Sequence, residues 1–562
     1  MIALVPRGTG VGELARAGLA PGLLSAGLGS VPAAQTYLDV SQGNRVFDSL
    51  YDEELPADVG GGMCGPAYSP AVVERAESAP ADIAPGLLAA TLRGAGEGCE
   101  VREVGPRRLE RLVAGLRGEE LLIAIERAPP GESEALAVGI AGRGFDGNLT
   151  SASTRTDGYV LSTDVAPTIL ARLGIPAPDA MSGRPIEAEG GSVDVAAIES
   201  LGERMAAISA RRGPVIGVSL LAWLSALGLA ALAGSARTAR RAVQLTGLAV
   251  VYLPLALLLA AALEPSQAAE RALVLAGAPL LAALTLVALP AFRALAVACG
   301  AVVLAHAADV VAGSPLTALS LLGPNPGLGA RFYGIGNELE ALLAVLVVAG
   351  TGAALAGFAP RIAPRRAART FLAAAVLFAV LFAAGRFGAD VGAAIVLPIG
   401  GAAAALAVTW PQRGVQRTAP LLILIAFWVV LVLIGLIDLV SGADAHLTRS
   451  VLEAGGLGDV AQVAERRLQL SAQSFARPVV LAFLPLVLAF AALAIRHRGR
   501  LGSQLGNFPV ARAGLLGALA AVLAGTLAND SGALFLEIGA AYLLALTGFA
   551  AAIRARPPGA ER

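Results

Sequence analysis

Lysine is absent from all 562 residues, so arginine supplies every one of the 42 basic side chains. With alanine and glycine so abundant, this is the coding pattern of a GC-rich bacterial genome. Histidine is almost as scarce: His306, His446 and His497 are the whole complement, and none falls before residue 214. Chemistry in the first third that needs imidazole as base or metal ligand is therefore excluded. Cysteine occurs three times, at Cys64, Cys99 and Cys299, with no zinc-site spacing. Cys64 and Cys99 form either a disulfide, if that part of the chain lies outside the cell, or two small buried thiols. Charged residues make up only 15% of the chain and the net charge is +0, which gives no argument for a nucleic-acid partner.

Apolar residues reach 56% and are concentrated in the second half. A bilayer core about 30 Å thick needs close to 20 apolar residues as helix. Runs of that kind fall near 214–234, 243–263, 272–292, 294–312, 333–358, 370–385, 391–410, 419–439, 479–496, 513–528 and 533–553. The expected architecture is an α/β domain over residues 1–210 followed by an all-α bundle of about eleven transmembrane helices over 214–554. Arg237, Arg240, Arg241, Arg293, Arg361, Arg365, Arg366, Arg369, Arg413, Arg417, Arg496, Arg498, Arg500, Arg512, Arg554 and Arg556 fall in alternate loops or at the C-terminus. The positive-inside rule makes that side cytoplasmic and the first 210 residues extracytoplasmic. An exported domain needs an export signal, and Met1–Gly10 lacks one. The expectation is that a leader precedes this chain. A long outer loop, 441–478, carries an amphipathic stretch at Val460–Ser474, read as a surface lid or an ordinary helix.

In the first 210 residues, short apolar strands at Ile2–Pro6, Leu121–Ile125 and Leu136–Ile140 alternate with helical stretches at 107–117 and 165–174, the pattern of a three-layer α/β fold. The stretch Thr163-Asp164-Val165-Ala166-Pro167-Thr168 opens a helix that ends in Gly174-Ile175-Pro176, and Ser182-Gly183-Arg184-Pro185-Ile186 follows. This segment resembles the C-terminal part of the alkaline phosphatase superfamily, the fold of sulfatases and phosphopentomutases. The resemblance implies a substrate-side loop at Ser151–Thr156 and a two-metal site on the first strands. The chain departs from that pattern where the metals belong. Leu4-Val5-Pro6-Arg7-Gly8-Thr9 lacks the expected Asp, and Leu121–Arg127 ends without an Asp-His-Gly. Thr9 as nucleophile and Glu126 as ligand would stand without imidazole, so the domain is expected to keep the fold without metals or cofactors. Asp164 and Thr168 read as helix-start residues. Arg7, Arg45 or Arg155 can recognise an anion without metal, and Gln35–Arg45 is either a ligand loop or a structural turn.

Charged residues in transmembrane segments are costly and mark sites by default. Asp309, Arg331, Asn337, Glu338, Glu340, Arg386, Asp390, Asp438, Asn529, Asp530 and Glu537 all fall near the outer ends of their expected helices. The catalytic candidates are Glu338, Glu340, Asp390, Asp438 and Asp530. The substrate-binding candidates are Arg331, Tyr333, Asn337, Arg386 and Asn529. The competing reading is helix capping: Asn337 with Glu340 has capping-box spacing, and Asp390 and Asp530 precede helices. Asp438 ends a helix, where an anion is disfavoured. Three functions fit: a cell-envelope protein binding or processing a lipid-linked phosphate or glycan at the outer face, a transporter or flippase with an outward polar site, and a non-catalytic scaffold for envelope partners.

Overall fold

A computed structural model describes residues 1–553 apart from 26–27, 30, 48–49, 52, 57–61, 66–67, 80, 132–134, 330, 410–470, 477 and 530. The chain divides into two compact units. Unit 1 is Met1–Ala210 together with Asn325–Phe332, and unit 2 is Arg211–Pro324 with Tyr333–Arg562.

Unit 1 is built on a six-stranded mixed sheet in the order β3-β1-β4-β5-β2-β7. Its strands are β1 (Ile2–Val5), β2 (Ala20–Ser25), β3 (Val101–Glu103), β4 (Leu122–Glu126), β5 (Ala135–Ala141) and β7 (Tyr159–Leu161). Strand β5 alone runs against its neighbours β4 and β2. A two-stranded sheet pairs β6 (Leu149–Ser151) with β8 (Ile186–Ala188). Alternation of side chains along each strand feeds two cores. Ile2, Ile123, Ile125 and Val138 face one, with Val40 of α2 (Gln35–Gln42) and Val165 of α6 (Val165–Arg172). Ala3, Val5, Leu122 and Ala124 face the other, with Leu14 of α1 (Val11–Arg16) and Leu109 of α5 (Pro106–Gly115). Helices thus cover both faces of the sheet. Two further helices, α3 (Pro70–Ser78) and α4 (Leu87–Gly94), complete the unit, and Cys64 is disulfide-bonded to Cys99.

The three strands expected from sequence are present as β1, β4 and β5. Strand β2 was hidden by Pro21-Gly22, which reads as a turn. Pro21 is tolerated because the ladder to β7 begins only at Leu23, so its missing N–H breaks no bond on that side.

The long helices are α7 (Val195–Ala233), α8 (Ala236–Leu263), α9 (Gln267–Ala272) continued by a π-turn into α10 (Ala278–Ala288), α11 (Ala291–Val311), α12 (Asn337–Phe358) and α13 (Pro364–Ala383). They are followed by α14 (Ala393–Thr409), α15 (Pro478–Arg496), the short α16 (Arg498–Gly506), α17 (Pro509–Ala528) and α18 (Gly532–Ala551). Eight helices among the described residues are long and apolar enough to cross a membrane, with α9 to α10 as one span. Ala393–Thr409 and Phe483–Arg496 are shorter apolar helices, and the expected run 419–439 lies outside the described residues. Leu232 is 88% and Val287 89% exposed, and Leu221, Leu280, Leu304, Leu377 and Leu527 are exposed as well. Such faces suit lipid and would aggregate in water. The chain is an integral membrane protein.

Among the described residues, helix α12 is the most enclosed of the membrane-length helices. Its close contacts are made by glycine. A Cβ on Gly352 would lie 3.0 Å from Cα of Gly514 on α17, and one on Gly400 of α14 would lie 2.9 Å from Cβ of Ala521. Lipid supplies no hydrophobic drive between helices, so close backbone approach provides the contact.

Candidate functional site

In unit 1, β1, β4, β2 and β7 are parallel to one another, so their carboxyl ends share one edge, where α/β domains commonly place ligands. The candidate residues at this edge are engaged in holding loops. Thr9 Oγ1 donates to the Pro6 carbonyl at 2.7 Å. Glu126 accepts the Gly8 N–H at 2.7 Å and the Ala137 N–H at 3.1 Å. Arg7 donates to the Ala128 carbonyl. Arg155 is exposed in a left-handed turn at φ 51°.

Asp164 is fully buried and accepts four hydrogen bonds, from Ser151 Oγ (2.7 Å), Ser153 Oγ (2.7 Å), Arg184 N (2.9 Å) and Leu161 N (3.0 Å). Burial pushes its carboxyl above the ordinary range, and these bonds oppose that. Thr168 Oγ1 donates to the Asp164 carbonyl and accepts the Ile186 N–H. The Ser151–Thr156 loop and the Gly183-Arg184 segment are thereby tied to the start of α6. The Gln35–Arg45 segment is helix α2 and the turn after it. Asp39 accepts from Gln35 and from Ser162 at 2.8 Å each, and Arg45 donates to Ser25 Oγ at 3.2 Å. Burial also raises the Asp39 carboxyl, with Arg45 the largest opposing influence. Among the described residues no group of three or more His, Cys, Asp or Glu side chains could hold a metal ion.

In unit 2 the polar candidates meet at the end of the bundle where α12, α14 and α18 begin. The capping-box expectation for Asn337 and Glu340 does not hold. The N-cap of α12 is Gly336, without a side-chain cap bond, and half-buried Asn337 is the first helical residue. Glu340 is buried, and its Oε2 accepts Asn529 Nδ2 at 2.9 Å, from a residue 189 positions away at the end of α17. Asn529 Oδ1 accepts the Ser531 N–H, which orients the amide. Gly392 faces the same carboxyl: a Cβ there would lie 2.5 Å from Glu340 Oε1. Buried Asp390 accepts the Gly392 N–H at 3.1 Å, so it retains the local helix-start role expected of it.

Beside this pair, the 333–336 segment packs on the loop 384–390. Ile335 N donates to the Gly388 carbonyl, and Gly334 N donates to Ser314 Oγ at 2.8 Å. Ser314 (φ 70°) and Ala389 (φ 52°) both hold left-handed conformations that non-glycine residues rarely adopt. Strain of this kind concentrates where a site is held in one geometry. Arg386 is exposed on the loop, and Tyr333 is half-buried. Glu338 pairs with Arg212 of α7 at 3.5 Å, and Arg211 pairs with Glu270 at 3.4 Å. Sequence reasoning passed over both arginines because they flank the first apolar run. Their place on the arginine-poor side was the available signal. Asp309 accepts the N–H groups of Leu316 and Thr317, so it closes the loop after α11.

Arg331 clusters with unit 1. Asp438, Asp530 and most of the 441–478 loop lie outside the described residues. Ser471 and Ser474 are described, and they bond to the Thr526 carbonyl and the Ala533 N–H around the turn that carries Asn529. No protein-family model, curated protein or solved structure matches the chain.

Proposed function

We propose that the chain binds or processes a lipid-linked phosphate or glycan at the outer face of a bacterial cell membrane, with the Glu340 cluster as its site. The observation that carries this reading is a buried carboxyl held by an amide from another helix and backed by a glycine, at the mouth of the most enclosed span. Intramembrane carboxylates in such places mark substrate paths. Glu340 and Asp390 are acceptors for sugar hydroxyls or for a transferred proton, and the exposed Arg386 guanidinium suits a phosphate. Two facts support an outward-facing site. Arg237, Arg293, Arg361 and Arg512 lie at the opposite helix ends, the cytoplasmic side by the positive-inside rule. The Cys64–Cys99 disulfide suits an extracytoplasmic unit 1.

The test is binding of polyprenyl phosphate to the purified protein in nanodiscs, followed by native mass spectrometry. Saturable binding is expected, weakened about ten-fold in Arg386→Ala, where one charge-assisted contact is lost. In Glu340→Gln the fold and the Asn529 bond persist while complementation of a deletion strain is lost. Unsaturable binding, or full complementation by Glu340→Gln, would leave the non-catalytic scaffold as the reading.

A further inference from the structure

Unit 1 includes a segment from far downstream in the chain. Residues 325–332 cluster with unit 1 although they are more than a hundred positions downstream of Ala210. Contacts among the described residues that hold this strap include the following three. Asn325 Nδ2 donates to Ser209 Oγ at 2.8 Å. Arg45 Nη2 donates to the Gly329 carbonyl at 2.7 Å. Phe332 packs on Tyr159 with ring centroids 5.5 Å apart. The strap has a defined shape: Asn325 (φ 53°) and Gly329 (φ 72°) are left-handed on either side of a tight turn at Pro326–Leu328.

Arg45 is the central contact. Its side chain is 7% exposed, and it lies between Ser25 Oγ and the strap with Asp39 Oδ2 at 4.0 Å. A guanidinium planted by a buried carboxyl and a hydroxyl has a fixed direction, so its Nη2 donor is aimed and not searching. That donor meets a backbone carbonyl. This contact therefore reads the path of the strap, while Asn325 and Phe332 are held through their side chains.

We infer that unit 1 is a receptor for the 325–332 strap, and that Arg45, beside the last residue of β2, is a positioning residue which fixes the strap through the Gly329 carbonyl.

Hydrogen–deuterium exchange of the full chain in nanodiscs tests this. In Arg45→Ala the amides of 325–332 should exchange at least about ten-fold faster, the loss of one charge-assisted hydrogen bond, while β4 and β5 keep their protection. Arg45→Lys, which retains a donor, should restore part of the protection. Unchanged strap exchange in Arg45→Ala overturns the inference. If the sheet amides accelerate too, a Ser209→Cys, Asn325→Cys disulfide in the Arg45→Ala chain decides. Recovery of sheet protection on cross-linking shows that the loss ran through the strap, and no recovery overturns the inference.

Discussion

The two units of this chain bury polar groups by opposite strategies. In unit 1 the buried carboxyl of Asp164 draws its four donors from within 20 residues, and the apolar core is made of large aliphatic side chains on both faces of the sheet. In unit 2 the buried Glu340 reaches 189 positions to Asn529, and the helices touch through glycine and alanine. Water explains the difference. Unit 1 gains from removing apolar area from water, so large side chains stabilise it. Unit 2 is bathed in a solvent as apolar as leucine, so its specificity resides in close approach and in a few interhelical polar bonds.

The sharpest way to break this comparison is Asp164→Ala. It takes the acceptor from two backbone N–H groups and two hydroxyls, of which Ser151 is buried and the rest half-buried, and unit 1 should lose about 2–4 kcal/mol. Pulse proteolysis of the full chain reads the loss, and a cost under about 1 kcal/mol would mean that the four bonds are not what ties the loop. Next is Gly514→Leu. The helix pair α12 and α17 cannot admit the side chain, and unit 2 should lose about 2–3 kcal/mol in a detergent-unfolding titration while exchange in unit 1 stays unchanged. Unaltered unit 2 stability would show that the glycine contact contributes little. The smallest effect is a pH dependence. Burial raises the Asp39 carboxyl in the native state, so the native state holds that proton more tightly than the unfolded chain. The stability linked to it is full below the ordinary Asp value and falls as pH rises through the native one. Unit 1 of the wild type should therefore gain on acidification from neutral pH relative to Asp39→Asn. Parallel pH profiles of the two proteins would refute the assignment.

Much of the fold could be read from apolar runs alone. Short unbroken apolar runs at Ile2–Val5 and Leu122–Ile125 announced the strands, and eight of the expected longer runs are spans of sufficient length. Strands of three residues, such as β3, β6 and β7, are too short to carry a period. The candidate site was half visible. Glu340 and Asn529 stood out as polar residues at one depth, but their spacing to near neighbours invited a capping explanation for Glu340. A bond between residues 189 apart leaves no local trace. Glycine contacts such as Gly352 with Gly514 are invisible for the same reason, since alanine- and glycine-rich helices look alike all round. Arg45 stood out in the sequence as a side chain able to recognise an anion, and it donates to a peptide carbonyl far downstream.

The strap has a consequence for biosynthesis. A ribosome that has released residue 210 has not yet made Asn325–Phe332, and four membrane-length helices must be threaded into the bilayer before that stretch emerges. The Arg45 guanidinium waits through that interval without the Gly329 carbonyl, and Tyr159 waits without Phe332. Unit 1 thus acquires its last segment only after these four helices have been made, which makes a polypeptide cut at residue 210 an unfinished domain.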